Sequence, residues 1–270
     1  MFELPEVITL ARQLAETVVG RTLVRASVAT DRPKFLFLSP DSPAFERSLA
    51  GRRIETVTAK GRWIFCRLDD GRALLFGEFG GRLLFHPPGA PLPTKRHWVA
   101  EFEDGARLSL AIQMWGFLGA FTDGEIARHP YAGTLAFTPL DESFTEAAFS
   151  ERLDRHAAAD NKPIKAFLTH SPNVAGVGNG YLQDILFRAR LSPKRRVATL
   201  SEADRRALYA ALRQTLREAT DLGGRDTERD LFDRPGRYVP LLDGRSVGGP
   251  CPACGGPIVK IQYLGGSCYL

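Results

Sequence analysis

Apolar residues at Val7, Leu10, Ala11, Leu14 and Val18 recur at helical spacing and predict an amphipathic helix from Pro5 to Val19. Pro5 suits a first helical turn and Gly20 suits the stop. From Thr22 to Phe121 the period shortens to two. Thr22–Val28, Arg62–Leu68, Arg72–Phe76, Trp98–Phe102 and Arg107–Ile112 read as short alternating strands. Asp69-Asp70-Gly71 and Glu103-Asp104-Gly105 are turn signals between paired strands, so an antiparallel sandwich is expected. Pro87-Pro88-Gly89-Ala90-Pro91 interrupts it with a loop.

The helical period returns after a segment marked by Pro130 and Pro139. Helices are expected near 144–156, 162–169, 179–189 and 201–221. The last has Ser201 as its cap, an apolar face of Leu208, Leu212, Thr215 and Ala219, and Gly223 as its stop. The Gly-rich stretch 245–270 holds short strand-like pieces, among them Ile258–Tyr263. The pattern is α+β: an N-terminal helix plus an antiparallel β-sandwich, then a helical region and a C-terminal hairpin-like segment.

Between two of the expected helices lies Asn173-Val-Ala-Gly176-Val-Gly178-Asn179-Gly180-Tyr181. Its glycines let the backbone turn sharply, and the turn feeds a helix N-terminus, where an anion is favoured. Lys162 and Lys165 precede it and Lys194, Arg195 and Arg196 follow, which suits a polymer phosphate. A plain helix–helix connection remains the alternative. Charge is placed unevenly. Residues 1–150 carry 17 Lys and Arg against 18 Asp and Glu, a balance of −1, whereas 151–270 carry 19 against 13, a balance of +6. That asymmetry points to a nucleic-acid face in the C-terminal part. No apolar run of about 18 residues occurs, so no membrane span is expected. The acidic N-terminus is unlike a secretory signal, so the cytoplasm is the expected location.

Four cysteines complete the candidate chemistry. Cys66 sits in an apolar strand pattern and reads as a buried small hydrophobe. Cys251-Pro-Ala-Cys254-Gly-Gly has the form of half a zinc site, and Cys268 is a possible third ligand. Tetrahedral zinc needs four ligands.

The order of parts, with Glu3-Leu4-Pro5-Glu6-Val7 at the start, Gly176-Val177-Gly178-Asn179 in the helical region and Cys251-Pro-x-Cys-Gly near the end, resembles the formamidopyrimidine-DNA glycosylase and endonuclease VIII family over essentially the whole chain. The resemblance implies a catalytic-type β-sandwich domain over 1–125 and a linker over 126–143. A helix–two-turn–helix DNA-binding domain follows over 144–235, then a zinc-ribbon-like segment over 245–270 that looks truncated before its second cysteine pair. It also implies a monomer that binds damaged duplex DNA, extrudes a base and cuts its glycosidic bond. Extrusion is required because the reacting carbon is inaccessible in a stacked duplex.

Residue by residue, the resemblance makes Glu3 the catalytic acid and Glu6 a second acid on the same helix; helix capping and dipole roles are their alternatives. Asn179, beside Gly178, and Lys165 match positions that hold phosphates. Arg62 takes the place of a phosphate-gripping strand lysine; Lys60, two residues away, could serve on the same strand face and is a candidate catalytic nucleophile in place of the Met1 amine, with a solvated edge charge the alternative for both. Phe79, Met114, Trp115 and Phe117 are candidate wedges, with core packing the alternative for Trp115 and Phe117. Arg225, Asp226 and Glu228 could read base edges, or belong to a salt-bridged loop that docks the ribbon.

Departures from the family pattern are equally specific. The usual nucleophile is a proline exposed at the N-terminus; this chain has Phe2, which leaves the amine on Met1, one residue displaced. The arginine facing the orphaned base and the arginine of the ribbon tip, at Leu264-Gly265-Gly266-Ser267, are both missing. The family implies zinc, but Cys251 and Cys254 alone predict an absent or incomplete site. The expected activity is therefore base removal with weak or no strand cleavage. A non-catalytic protein that binds damaged or bent DNA is the alternative.

Overall fold

The computed structural model describes residues 1–135, 137–170 and 172–270 and divides them into two compact units. The first comprises Met1–Thr134 and Leu222–Arg237, the second Leu135–Asp221 and Tyr238–Leu270.

In the first unit, helix α1 spans Leu4–Val18 and presents Val7, Leu10, Ala11, Leu14 and Val18 to the core, as the periodicity predicts. Nine strands follow: β1 Thr22–Val28, β2 Leu36–Ser39, β3 Arg52–Lys60, β4 Trp63–Leu68, β5 Arg72–Gly77, β6 Gly80–His86, β7 Trp98–Phe102, β8 Arg107–Gln113 and β9 Gly116–Thr122. They hydrogen-bond in the order β2-β9-β5-β4-β3-β1-β7-β8-β6. A short β1–β3 junction (Thr22 opposite Arg53, Leu23 opposite Arg52) joins its two parts. Side chains of both parts, such as Leu23, Trp98 and Leu110 from one and Ile64, Leu74 and Leu118 from the other, share one buried core with α1. The expectation of a wholly antiparallel sandwich needs one correction: β2 runs parallel to β9, with Leu36 opposite Gly116 and Phe37 opposite Phe117. Helix α2, Ser42–Leu49, and helix α3, Asp123–Arg128, flank these strands and were not read from the sequence.

Residues Leu222–Arg237, which the sequence reading placed in the helical domain up to 235, group with the first unit. The reason is hydrogen bonding and burial. Gln13 on α1 donates through Nε2 to Asp230 (2.8 Å) and accepts the Leu231 N–H (2.9 Å). The Phe85 N–H donates to the Leu231 carbonyl (2.9 Å), and the Leu231 side chain is fully buried in the core.

The second unit holds α4 Glu146–Ala159, α5 Ile164–Leu168, α6 Asn179–Arg188 and α7 Glu202–Asp221. All four lie within a few residues of their sequence-based positions. Ser201 caps α7 by accepting the Asp204 N–H (3.1 Å), while Asp204 accepts the Ser201 N–H (2.9 Å). Asp184, fully buried on α6, accepts the Tyr238 hydroxyl (2.7 Å) and the N–H groups of Leu241 (2.9 Å) and Leu242 (3.0 Å). Strands β10 Lys260–Tyr263 and β11 Gly266–Tyr269 form an antiparallel hairpin. Leu264 (φ 48°) and Gly265 (φ 73°) form its two-residue turn, the left-handed pair that matches the twist of a tight hairpin.

Candidate active site

The start of α1 gathers the strongest charge cluster of the first unit. Glu3 and Glu6 are both almost fully buried, and the Glu6 carboxylate accepts the Glu3 N–H (2.9 Å) across the first turn. The other Glu6 oxygen accepts from Arg225 twice, from its backbone N–H (2.9 Å) and its Nε (3.2 Å). The approach is close because residue 224 is glycine, with φ 93°; a Cβ there would stand 2.8 Å from Glu6 Cγ. The Arg225 guanidinium also lies 3.8 Å from Glu3 and 3.4 Å from Glu228, and Nη2 donates to the Met1 carbonyl (2.8 Å). The Met1 ammonium pairs with Glu228 at 3.0 Å. Three carboxylates thus face one guanidinium and one ammonium in a largely dry site.

This arrangement corrects the base-reading role for Arg225. Its fork is turned onto the acids of α1 and the backbone of Met1, so the salt-bridged-loop alternative describes it, with α1 rather than the ribbon as the docking surface. Asp226 lies half-buried in the same loop. Glu228, expected with Arg225 and Asp226 to read base edges, is instead the partner of the N-terminal amine. Only folding could reveal that, since the two residues lie 227 positions apart in the chain.

Phe79 is corrected as well. It is buried, its carbonyl accepts the Phe2 N–H (2.9 Å), and its ring meets the fully buried Phe2 edge-on with centroids 5.0 Å apart. It belongs to the core and cannot wedge a duplex. Met114 and Trp115 do fit an external role: they form the β8–β9 turn, 80% and 47% exposed, with Met114 at φ 67°. Arg62 is bound to Glu78 through Nε (3.2 Å) and Nη2 (2.7 Å), with Nη1 3.7 Å from Met1 Sδ. Burial pushes the Glu78 carboxyl above its ordinary range, with the charge of Glu3 adding to the effect and Arg62 opposing it. Lys60 ends β3 opposite Trp63 and is exposed, and among the described residues no contact joins it to Met1 or Glu3.

In the second unit, Asn179 is the first residue of α6 and is exposed, while Gly178 is its buried N-cap at an extended φ of −127°. The glycine that the turn requires is Gly176, at φ 99°. Asn179 donates to the Ser267 carbonyl (2.9 Å), and a Cβ on Gly266 would come within 3.3 Å of the Asn179 amide. Lys165 is not at the surface. It is almost fully buried, with Nζ donating to the carbonyls of Tyr263 (2.6 Å) and Gly266 (3.4 Å) and lying 3.4 Å from Cys268 Sγ. Its charge therefore organises the β10–β11 tip against α5. The loss is physical: chain proximity made Lys165 look free beside the glycine turn, and the hairpin that covers it comes about 100 residues later.

The cysteine half-site has a knuckle-like turn. The Ala253 N–H reaches Cys251 Sγ at 3.4 Å, and it, the Cys254 N–H and the Cys254 thiol hold the Cys251 thiol below its ordinary range. Cys268 lies against Lys165 instead. Among the described residues no group of three or more His, Cys, Asp or Glu is arranged to hold a metal, and a tetrahedral zinc takes four ligands.

Family models match in two blocks: the formamidopyrimidine-DNA glycosylase N-terminal domain over residues 1–112 and the formamidopyrimidine-DNA glycosylase H2TH domain over 135–230. A formamidopyrimidine-DNA glycosylase of Thermomicrobium roseum is 35% identical, covering 99% of this chain and 96% of its own. One of Symbiobacterium thermophilum is 33% identical over 97% of this chain and 85% of its own. Among solved structures, the MutM (Fpg) protein of Thermus thermophilus aligns with a TM-score of 0.83 at 30% identity, over 99% of this chain and 96% of that one. Lactococcus lactis Fpg in complex with DNA containing an abasic site aligns with a TM-score of 0.85 at 23% identity, over 99% and 97%, a likeness of fold.

Proposed function

The chain belongs to the formamidopyrimidine-DNA glycosylase family, and we propose that it removes damaged bases from duplex DNA by hydrolysis, with little strand cleavage of its own. The observation that carries the reading is the buried pair Glu3 and Glu6 held by Arg225 at the start of α1. A carboxylate fixed in a dry site can take a proton from water as the water oxygen bonds to the sugar carbon and the base departs with the electrons of the glycosidic bond. Glu3 is assigned that step, and Glu6 with Arg225 positions it.

Weak strand cleavage follows from Phe2 and Met1. A covalent route needs a free amine at the sugar, whereas the Met1 ammonium is paired with Glu228 and its chain is pinned by the buried Phe2. An error of even about 1 Å in placing a nucleophile costs on the order of a hundredfold in rate. On the DNA side, Asn179 and the β10–β11 tip would take phosphates and Met114 with Trp115 would open the base step. The expected location is the cytoplasm, with the DNA. Among the described residues no helix is long and apolar enough to cross a membrane.

A panel of duplexes, each with one damaged base, incubated with the protein and analysed with and without hot alkali, tests the proposal. Breaks that appear only after alkali identify base release without strand cleavage. Binding to the same duplexes with no break under either condition would identify a non-catalytic binder.

A further inference from the structure

Strand β2 forms one edge of the sheet and presents an aromatic face that the site described above does not use. In the parallel register Leu36 lies opposite Gly116, and both point into the protein. Alternation turns Phe37 the other way, and Phe35 lies in the turn before the strand; they are 53% and 60% exposed. The Phe35 carbonyl accepts the Gly116 N–H at 3.0 Å, so its backbone adjoins the residue that follows Trp115. Farther along the same face, Phe117 is covered by Trp63 and His129, with ring centroids at 5.1 and 4.9 Å. The uncovered part of this aromatic row is thus the part that adjoins the Met114–Trp115 turn.

We propose that Phe35 is a nucleobase-stacking residue, which receives a base unstacked by the Met114–Trp115 turn while the adjacent Lys34 takes its phosphate. The inference rests on the reading that this turn enters the duplex. Three features favour a nucleic-acid occupant over a protein. The patch continues the wedge through a backbone hydrogen bond. Arg32 and Lys34 flank it against Asp31 alone, which suits a polyanion. The backbone that carries the ring is also held before binding: Pro33 limits the local backbone, its carbonyl accepts the Leu36 N–H at 3.0 Å, and the Phe35 carbonyl accepts the Gly116 N–H. Little ordering is left to oppose stacking.

The test measures binding to two duplexes that differ only in a tetrahydrofuran abasic analogue at one position. Phe35→Ala is expected to weaken binding to the abasic duplex by about tenfold and to change binding to the intact duplex by no more than about twofold. Phe35→Trp should restore the affinity and Phe35→Leu should not. Because Phe35 is exposed, all three variants should melt with the parent protein. Parent-like binding by Phe35→Ala, alongside a parent that prefers the abasic duplex and a Trp115→Ala variant that loses the preference, overturns this proposal alone. Full rescue by Phe35→Leu overturns it too, since any apolar contact would then suffice. A parent dimer that Phe35→Ala dissociates would show a second copy on this face and overturn it as well. A parent with no preference for the abasic duplex removes both this proposal and the wedge reading beneath it.

Discussion

Arg225 meets the Glu6 carboxylate twice, once through its backbone N–H at 2.9 Å and once through its side-chain Nε at 3.2 Å. The loop that follows α7 is thereby fastened to the first turn of α1. Arg225→Ala removes the guanidinium that faces Glu3, Glu6 and Glu228, and breaking a buried ion pair from one side costs about 3–5 kcal/mol. A lower melting temperature and a loss of base release of about a hundredfold or more are expected. Arg225→Lys should recover little, because an ammonium cannot reproduce the planar fork. Gly224→Ala attacks the same joint through its backbone and should act in the same direction. Normal activity in both Arg225→Ala and Gly224→Ala would remove this joint from the active site.

Phe2 is a core residue, and its replacement is expected to act on stability first. Phe2→Ala should cost about 3–5 kcal/mol, as for a large ring deleted from a packed interior. Phe2→Pro also removes the N–H that donates to the Phe79 carbonyl. Installing the family's usual residue should therefore lower the denaturation midpoint rather than simply create a lyase. A Phe2→Pro protein as stable as the parent would show that the ring is dispensable.

Much of the architecture was legible in the sequence because periodicity and turn chemistry are local. The α1 face, the Asp70-Gly71 and Asp104-Gly105 turns and the Ser201 cap all lie where the pattern puts them. The parallel β2–β9 pair was not legible, since a four-residue strand carries almost no period and its partner lies about 80 residues away. In the candidate site, Glu3 and Glu6 were found through a contiguous motif. The partners that define their chemistry, Arg225 and Glu228, come from the far end of the chain and could be placed only by the fold. Phe79 misled for a related reason: a phenylalanine between glycines looks presented, and only the packing of Phe2 shows that it faces inward.

Asp184 gives a pH signature. Burial pushes its carboxyl above the ordinary value of 3.8, against the opposing pull of Tyr238, Leu241 and Leu242. The unfolded chain then releases this proton first as pH rises, so folding binds more protons and Asp184 subtracts stability above that value. Below 3.8 both states are protonated and the penalty is absent. Asp184→Asn, which cannot titrate, should be less stable than the parent, and the gap should narrow as pH rises from acid toward neutral. Denaturant midpoints across that range decide the matter, and a gap that widens with pH contradicts the assignment. Asp184→Ala should cost about 3 kcal/mol through the donors left unpaired.

For the cysteine knuckle, we propose that the chain holds no tightly bound stoichiometric zinc. Two thiols in one turn leave half of a tetrahedral shell unfilled. Metal analysis of protein purified without chelator should find well under one zinc per chain, and Cys251→Ser should leave the melting temperature unchanged. One zinc per chain, lost together with stability in Cys251→Ser, would contradict this.

The central claim is hydrolytic base release by Glu3 without a covalent intermediate at the N-terminus. Its most direct test is borohydride trapping on the damaged duplex that the parent processes best, run beside single-turnover base release for the parent and Glu3→Gln. The account expects efficient base release by the parent, a loss of at least about a hundredfold in Glu3→Gln for a positioned proton acceptor, and little or no trapped complex. Efficient trapping that maps to the Met1 amine, with base release that survives Glu3→Gln, would contradict it.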